Sequence, residues 1–154
     1  MAFEKTPRGT YGQKTPAFAV PLMKMLNPLM LWQVHRGGRS AGMRMVALTT
    51  TGAKSGQRRQ VILGALPDGE GAWLIAASGG GTAVNPAWYH NLAAHPGQAE
   101  LVIGHDTYDV DATQLAGPQR DAAWDRIIVA GPRYAGYVTK TDRVIPVLRL
   151  TTKG

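Results

Sequence analysis

The amino-acid sequence predicts a small, mainly β fold: an antiparallel barrel with helices packed at its edges. Three observations carry that expectation. From Arg44 onward the apolar segments are short, strand-like and separated by turn residues, so that consecutive segments read as hairpins. Helical spacing is confined to an N-terminal segment and two connecting segments. The 154 residues suffice for one domain with a real hydrophobic core, and no linker, repeat or low-complexity tract divides 1–154.

The elements follow in order. Residues 1–15 are polar and unpatterned and are expected to form a loose N-terminal segment. Ala17 to Val34 is apolar, with Phe18, Leu22, Met25, Leu26, Leu29 and Trp32 on one helical face, and predicts an apolar N-terminal helix over 17–36. Pro21, Lys24, Asn27 and Pro28 interrupt it, so it is not a membrane span, which needs about 20 mainly apolar residues. Pro28 is expected to kink or divide it. The expectation is a helix packed on the domain. The alternative is peripheral membrane contact through 17–34, where three methionines and a tryptophan lie beside Lys24, Arg36 and Arg39.

Arg44 to Thr51 and Gln57 to Leu66 read as two strands joined by a glycine turn. Pro67 to Gly71 is a second tight turn, and Ala72 to Ser78 a third strand, apolar enough to be buried. Asn85 is placed to cap a helix with Pro86 at its first position, running through Trp88, Tyr89 and Leu92 to His95. Glu100 to Ile103 and Thr107 to Thr113 make a further hairpin, with Tyr108, Val110 and Ala112 alternating against Asp109, Asp111 and Thr113. Pro118 to Val129 predicts a helix, and Val144 to Leu150 a last short strand.

Charge is segregated along the chain. Residues 1–59 carry ten Lys/Arg and one acid, residues 60–119 no Lys/Arg and six acids, and residues 120–154 seven Lys/Arg and three acids. Such polarity draws an anionic partner to one region. A nucleic-acid-binding module is disfavoured, because the middle of the chain offers no cation to track a backbone. The chain has no cysteine, which excludes disulfides, thiol catalysis and thiolate metal sites. Its four histidines have no metal-ligand spacing, so no metal is expected, and no nucleophile triad is evident. No signal-peptide pattern opens the sequence, and a cytoplasmic location, with membrane association as the variant, is the expectation. With neither nucleophile nor metal in view, weight shifts to chemistry carried by a bound cofactor.

The segment Leu48-Thr-Thr-Thr-Gly-Ala-Lys-Ser-Gly-Gln-Arg-Arg59 brings hydroxyls, a glycine turn and three cations together. It is not a nucleotide-hydrolase P-loop, which has four residues between its first glycine and Gly-Lys-Ser/Thr and a helix after it. Its backbone N–H groups can still converge on an anion, with Arg59 as a two-pronged donor and Lys54 as a point charge. The alternative is a hairpin turn with solvated cations. Ala76-Ala-Ser-Gly-Gly80 is small enough for a flat ligand to lie against backbone, or is simply a loop. Trp88 is a candidate to cover an aromatic ring or to sit in the core. Tyr134 and Tyr137 are candidates to line a pocket or to pack a late helix.

These segments, with Asn85-Pro-Ala-Trp-Tyr-His-Asn-Leu92 and Thr141-Asp-Arg-Val-Ile-Pro146, occur in one order and at characteristic separations. Together they resemble the deazaflavin-dependent nitroreductase family, split β-barrel oxidoreductases that use coenzyme F-420. The resemblance covers Leu48 to Pro146. It implies a split β-barrel, FMN-binding-like in architecture, in which reduced coenzyme F-420 gives a hydride to a quinone-like, enone or nitro acceptor. It implies that Lys54, Ser55, Gly56, Gln57 and Arg59 hold the phosphate and acidic tail of the cofactor. Ala76, Ala77 and Ser78 would lie along its ring, and Trp88 and Asn91 on its other side. Tyr134 and Tyr137 would face the acceptor, with Ser78 or a tyrosine placing or protonating the product. Ala53, Gly79 and Gly131 depart from residues common in the family, two cations and a tyrosine, and Arg58 is expected to compensate in part. An FMN-binding oxidoreductase on the same barrel and a non-catalytic coenzyme-binding or storage protein are the alternatives. Either a monomer or a homodimer is compatible with the resemblance.

Overall fold

The computed structural model describes residues 5, 7, 9, 10, 12, 28–40, 42–78, 85–141 and 143–153. The expectations for 17–27, for the loop beyond Ser78 and for most of 1–15 lie outside them. The described elements begin with helix α1 (28–35). Strands β1 (Arg39–Ser40), β2 (Met43–Thr51), β3 (Arg58–Pro67) and β4 (Ala72–Ala76) follow, then α2 (Ala87–Ala94). After these come β5 (Ala99–Ile103), β6 (Asp106–Gln114), α3 (Gly117–Ala130), α4 (Arg133–Tyr137) and β7 (Val147–Thr152).

All strand pairings are antiparallel, in the order β1-β2-β3-β4-β7-β6-β5, and β2 also pairs with β5. That extra pairing closes six strands, β2 to β7, into a barrel, which removes the open edges that a flat sheet would expose. The alternation in β2 and β3 sets which side chains enter it. Val46 and Leu48 join the interior cluster with Leu101, Val110, Leu148 and Leu150, and Val61 and Leu63 pack against them. Trp88, Tyr89 and Leu92 of α2 join the same cluster, so α2 is a lid on the barrel core.

A second cluster lies between the outside of the barrel and α3. It contains Met43, Leu74, Ala76, Ile127, Ile145 and Val147, with Trp124, Tyr134 and Tyr137 packed against it. Strand β4 serves both clusters: Ile75 faces inward, Leu74 and Ala76 outward. This two-sided burial is why the segment reads as continuously apolar rather than alternating.

Three sequence expectations change. In α1 it is Val34 that is buried, whereas Leu29 and Trp32, expected on the packed face, are about half exposed at 52% and 51%. Arg36 lies over the Trp32 ring, 4.5 Å from its centroid. At the start of α2 the capping position belongs to Pro86, without a side-chain cap bond. Asn85 accepts instead from Arg143 Nη1 at 2.5 Å. The last strand starts at Val147, because residues 144–146 are non-helical connection before it.

Candidate functional site

The β2–β3 connection is a tight turn whose geometry the sequence dictates. Gly52 N–H donates to the Gln57 carbonyl at 2.8 Å, and Gly56 N–H to the Gly52 carbonyl at 3.0 Å. Gly56 takes φ +70°, a left-handed conformation that glycine adopts without penalty. A Cβ at Gly52 would fall 2.5 Å from Ser55 Oγ, so that position is closed to side chains unless the turn shifts. Ser55 Oγ accepts from Gln57 N–H at 3.2 Å. Among the described residues, the N–H groups of Lys54 and Ser55 have no protein acceptor. Two adjacent amides left open in a turn form the concavity that suits an anion.

Helix α2 fixes this turn from behind. Asn91 Nδ2 donates to Thr50 Oγ1 at 3.1 Å, and Asn91 Oδ1 accepts from Ala53 N–H at 3.0 Å. Asn91 and Thr50 are both buried, 9% and 1% exposed. The amide of Asn91 is therefore engaged by the turn it supports. Spacing of i, i+3 and i+4 puts His90 and Asn91 on the same side of α2 as Ala87.

Together these elements wall a cleft of about 720 Å³. Its lining includes Thr50, Gly52, Ala53, Lys54, Ser55, Arg59, Val61, Ala87, Trp88, His90 and Asn91, with Lys5 beside them. Lys54, Ser55, Arg59, Trp88 and Asn91, expected from sequence, are thus brought together. Gly56 and Gln57 shape the turn rather than line the cleft, and Gln57 Oε1 accepts from Arg59 Nη2 at 3.0 Å.

Arg58 points the other way, as its neighbour position on a strand requires. It donates to Thr51 Oγ1 at 2.7 Å and to the Gln98 carbonyl at 2.8 Å, and pairs with Glu100 at 3.3 Å. It therefore adds nothing to the cleft, contrary to the expected compensation.

The residues along the proposed ring side lie elsewhere. Ala76, Ala77 and Ser78 are buried and outside the cleft lining. Their loop is held by Arg143, 4% exposed, which donates to the Ala77 carbonyl at 3.0 Å, the Ser78 carbonyl at 2.7 Å and Asn85. Burial draws Arg143 below the ordinary arginine value, against a small opposing effect of Tyr89. Tyr134 and Tyr137 stack edge-to-face at 5.4 Å between centroids, also outside the cleft. They belong to the outer cluster that contains Ala76. The phenol of Tyr134 is raised above its ordinary value, first by burial and then by Tyr137, so it stays protonated at neutral pH.

Sequence reasoning gave no individual role to Lys5, Thr50, His90 or Arg143. His90 stacks edge-on against Tyr89 at 5.6 Å, and burial, then the charge of Lys5, lowers its pKa. The signal for His90 was its i+3 relation to Ala87. Arg143 stood within the Thr141 to Pro146 segment, but its partners, two backbone carbonyls and Asn85, are distant in sequence.

A closed antiparallel barrel with a cationic, partly apolar cleft at one end of its β2–β3 hairpin places the chain among the split-barrel oxidoreductases. The sequence model of the family described as "F420H(2)-dependent quinone reductase" matches residues 29–152, and the chain belongs to that family. It is 39% identical over 109 residues to an F420H(2)-dependent quinone reductase of Mycobacterium tuberculosis, covering 69% of this chain and 72% of the relative. A solved F420-H2 dependent reductase, FDR-A, superposes with a TM-score of 0.62 at 40% identity, covering 69% of this chain and 92% of the other. A second structure, described as a domain-swapped dimer, superposes with a TM-score of 0.64 at 32% identity, covering 87% and 99%. Among the described residues no helix is long and apolar enough to cross a membrane.

Proposed function

We propose that this oxidoreductase binds coenzyme F-420 in the cleft and passes a hydride from its reduced form to a quinone-like acceptor, with enones and nitro compounds as further acceptors. The observation that carries this reading is the join of two surfaces in one cleft. Open amides of Lys54 and Ser55 with two cations, Lys54 and Arg59, meet an apolar wall that includes Val61, Ala87 and Trp88. Those residues fit a ligand with a phosphate and an acidic tail at one end and a flat ring at the other.

When bound, the reduced deazaflavin supplies the hydride. The chain supplies position. Arg59 and Lys54 hold the anionic end, Ser55 and Lys54 donate backbone hydrogen bonds to it, and Asn91 keeps the turn in the shape that presents them. Arg143 fixes the backbone of Ala77 and Ser78, which we assign to the ring side. Ala76 shares its apolar cluster with Tyr134 and Tyr137, which supports placing the acceptor on that side, with Ser78 or a tyrosine hydroxyl as proton source. Hydride transfer needs reacting atoms held within about 3–3.5 Å, so orientation carries most of the rate.

The test mixes reduced coenzyme with menadione and follows the return of the oxidised absorbance, alongside titrations with the coenzyme and with FMN. Coenzyme binding with turnover is expected. Tight binding without turnover across an acceptor panel would make the protein a coenzyme carrier. Preference for FMN would reassign the cofactor, and no coenzyme binding at micromolar levels would end the proposal.

A further inference from the structure

The interior face of the barrel carries an arginine at each end. On β3 the inward positions run Arg59, Val61, Leu63, Ala65, and on β2 they run Arg44, Val46, Leu48, Thr50, with Thr50 opposite Arg59 and Arg44 opposite Ala65. Arg59 belongs to the cofactor cleft. Arg44 stands at the other mouth, six residues along β2 from Thr50, a separation of about 20 Å at roughly 3.3 Å per residue.

The surroundings of Arg44 differ from those of Arg58, Arg126 and Arg149. Arg58, Arg126 and Arg149 each meet a carboxylate within 3.3 Å. Arg44 has no ion pair or hydrogen-bond acceptor among the described residues, and its Nε is buried without a partner. The mouth around it is a pocket of about 420 Å³, walled by Trp73, Ile103 and Tyr108 and rimmed by His105, Asp106 and Thr152. Gly104, in its lining, leaves room for the guanidinium, and Gly37 lies near it. A Cβ at Gly104 would lie 3.3 Å from Arg44 Nη2 and one at Gly37 3.8 Å from it, and both have positive φ. The same glycine segment is anchored: His35 Nδ1 bonds the Gly104 carbonyl at 2.8 Å, and the His35 and His105 rings stack 4.9 Å apart, 4° from parallel. His105 of this pair lines the pocket with Arg44, and Asp106 is the one carboxylate in the lining.

We infer that this mouth is a second binding site, for a small planar anion of the aromatic carboxylate class. The Arg44 guanidinium would take the carboxylate in a two-pronged hydrogen bond, and Trp73, Ile103 and Tyr108 would cover the apolar body. The mouths of small barrels are common ligand sites. A single arginine with aromatic walls fits one carboxylate on a flat body better than a phosphate, which is fully hydrophilic and calls for more donors. The site is distinct from the cofactor cleft by the length of a strand and shares no lining residue with it.

The experiment titrates the full chain with 2-naphthoate, using calorimetry for affinity and amide NMR shifts for location. Saturable binding is expected, with the largest shifts at Trp73, Ile103 and Gly104 and little change at Lys54 or Trp88. Arg44→Gln is expected to weaken it by about tenfold or more, while coenzyme F-420 affinity, which also reports a folded chain, stays as in the parent. The uncharged isostere 2-naphthylmethanol should bind about tenfold more weakly or worse. Absence of saturable binding, shifts centred on the cofactor cleft, an isostere that binds equally well, or inorganic phosphate binding as tightly as naphthoate would each overturn the inference. If Arg44→Gln fails to fold, the shift map on the parent chain and the isostere decide by themselves.

Discussion

Replacing Asn91 with leucine removes the two bonds that join α2 to the β2–β3 turn, while keeping the same branched heavy-atom skeleton. The bonds to Thr50 Oγ1 (3.1 Å) and from Ala53 N–H (3.0 Å) are within ordinary range, and the Thr50 end is buried. Each is worth about 1 kcal/mol net, and leaving the Thr50 hydroxyl without its donor adds to the loss, so about 2–3 kcal/mol is expected. For a chain of this size, 1 kcal/mol shifts the melting temperature by roughly 2–4 °C, which gives a fall of about 5–10 °C. Differential scanning fluorimetry checks that number, and a coenzyme titration in the same buffer checks its consequence for binding. Asn91→Asp separates support from charge. A carboxylate still accepts from Ala53 N–H, and the Thr50 hydroxyl can turn to donate to it. The aspartate variant should therefore recover part of the stability yet bind coenzyme about tenfold more weakly, because a negative charge now faces an anion site. A melting temperature for the leucine variant within about 2 °C of the parent would refute the assigned role of this amide. So would an aspartate variant that binds coenzyme as tightly as the parent.

Lys54→Ala combined with Arg59→Ala should weaken coenzyme binding by about ten- to a hundredfold and flatten its salt dependence, whereas Arg58→Ala should leave affinity unchanged, read by fluorescence titration at several ionic strengths. Burial acts to raise the Asp68 carboxyl, but hydrogen bonds and charge from Arg126 and Arg149 outweigh it, and its pKa lies below the ordinary value. A depressed folded-state pKa means stability present above the ordinary aspartate value and lost as pH falls through the lowered one, so Asp68→Asn should flatten urea-unfolding midpoints between about pH 5 and about pH 2. For His90, lowered by burial and then by Lys5, protonation favours the unfolded chain. The penalty is absent above the ordinary histidine value near 6.5, grows as pH falls, and is complete below the folded value. His90→Gln should gain stability over the parent at about pH 5 and match it at about pH 8, as measured by chemical denaturation.

The barrel was legible because its signals are local. Short apolar runs such as Arg44 to Thr51, alternation in Thr107 to Thr113 and glycines between runs mark strands without knowledge of distant partners. Closure of β2 onto β5 is not local, and neither is the packing of α1. An apolar face chosen by spacing alone thus selected Leu29 and Trp32, while the structure buries Val34. The glycine turn and its cations were legible, but reading Lys54, Arg58 and Arg59 as one group ignored strand alternation. Adjacent positions on β3 face opposite sides, and this parity sends Arg58 to Gln98 and Glu100. Arg143 shows a different limit. Its three bonds reach 58 to 66 residues along the chain, and the two carbonyl partners carry no sequence mark, because every residue possesses one.

Asn91 and Arg143 follow one physical logic. Each is a buried polar side chain whose partners include backbone groups of a connecting segment: Ala53 N–H for the turn, the Ala77 and Ser78 carbonyls for the loop after β4. Connecting segments are the parts of a barrel with the fewest regular hydrogen bonds, and so the parts whose shape a ligand would otherwise have to impose. Anchoring them to α2 and to the segment before β7 orders them within the fold itself. Less of the interaction with a ligand is then consumed in ordering the protein, and more is left to orient the ligand. For a reaction in which the cofactor carries the reactive atoms and the protein contributes alignment, that division is what the barrel, its lid helix and one buried arginine are arranged to provide.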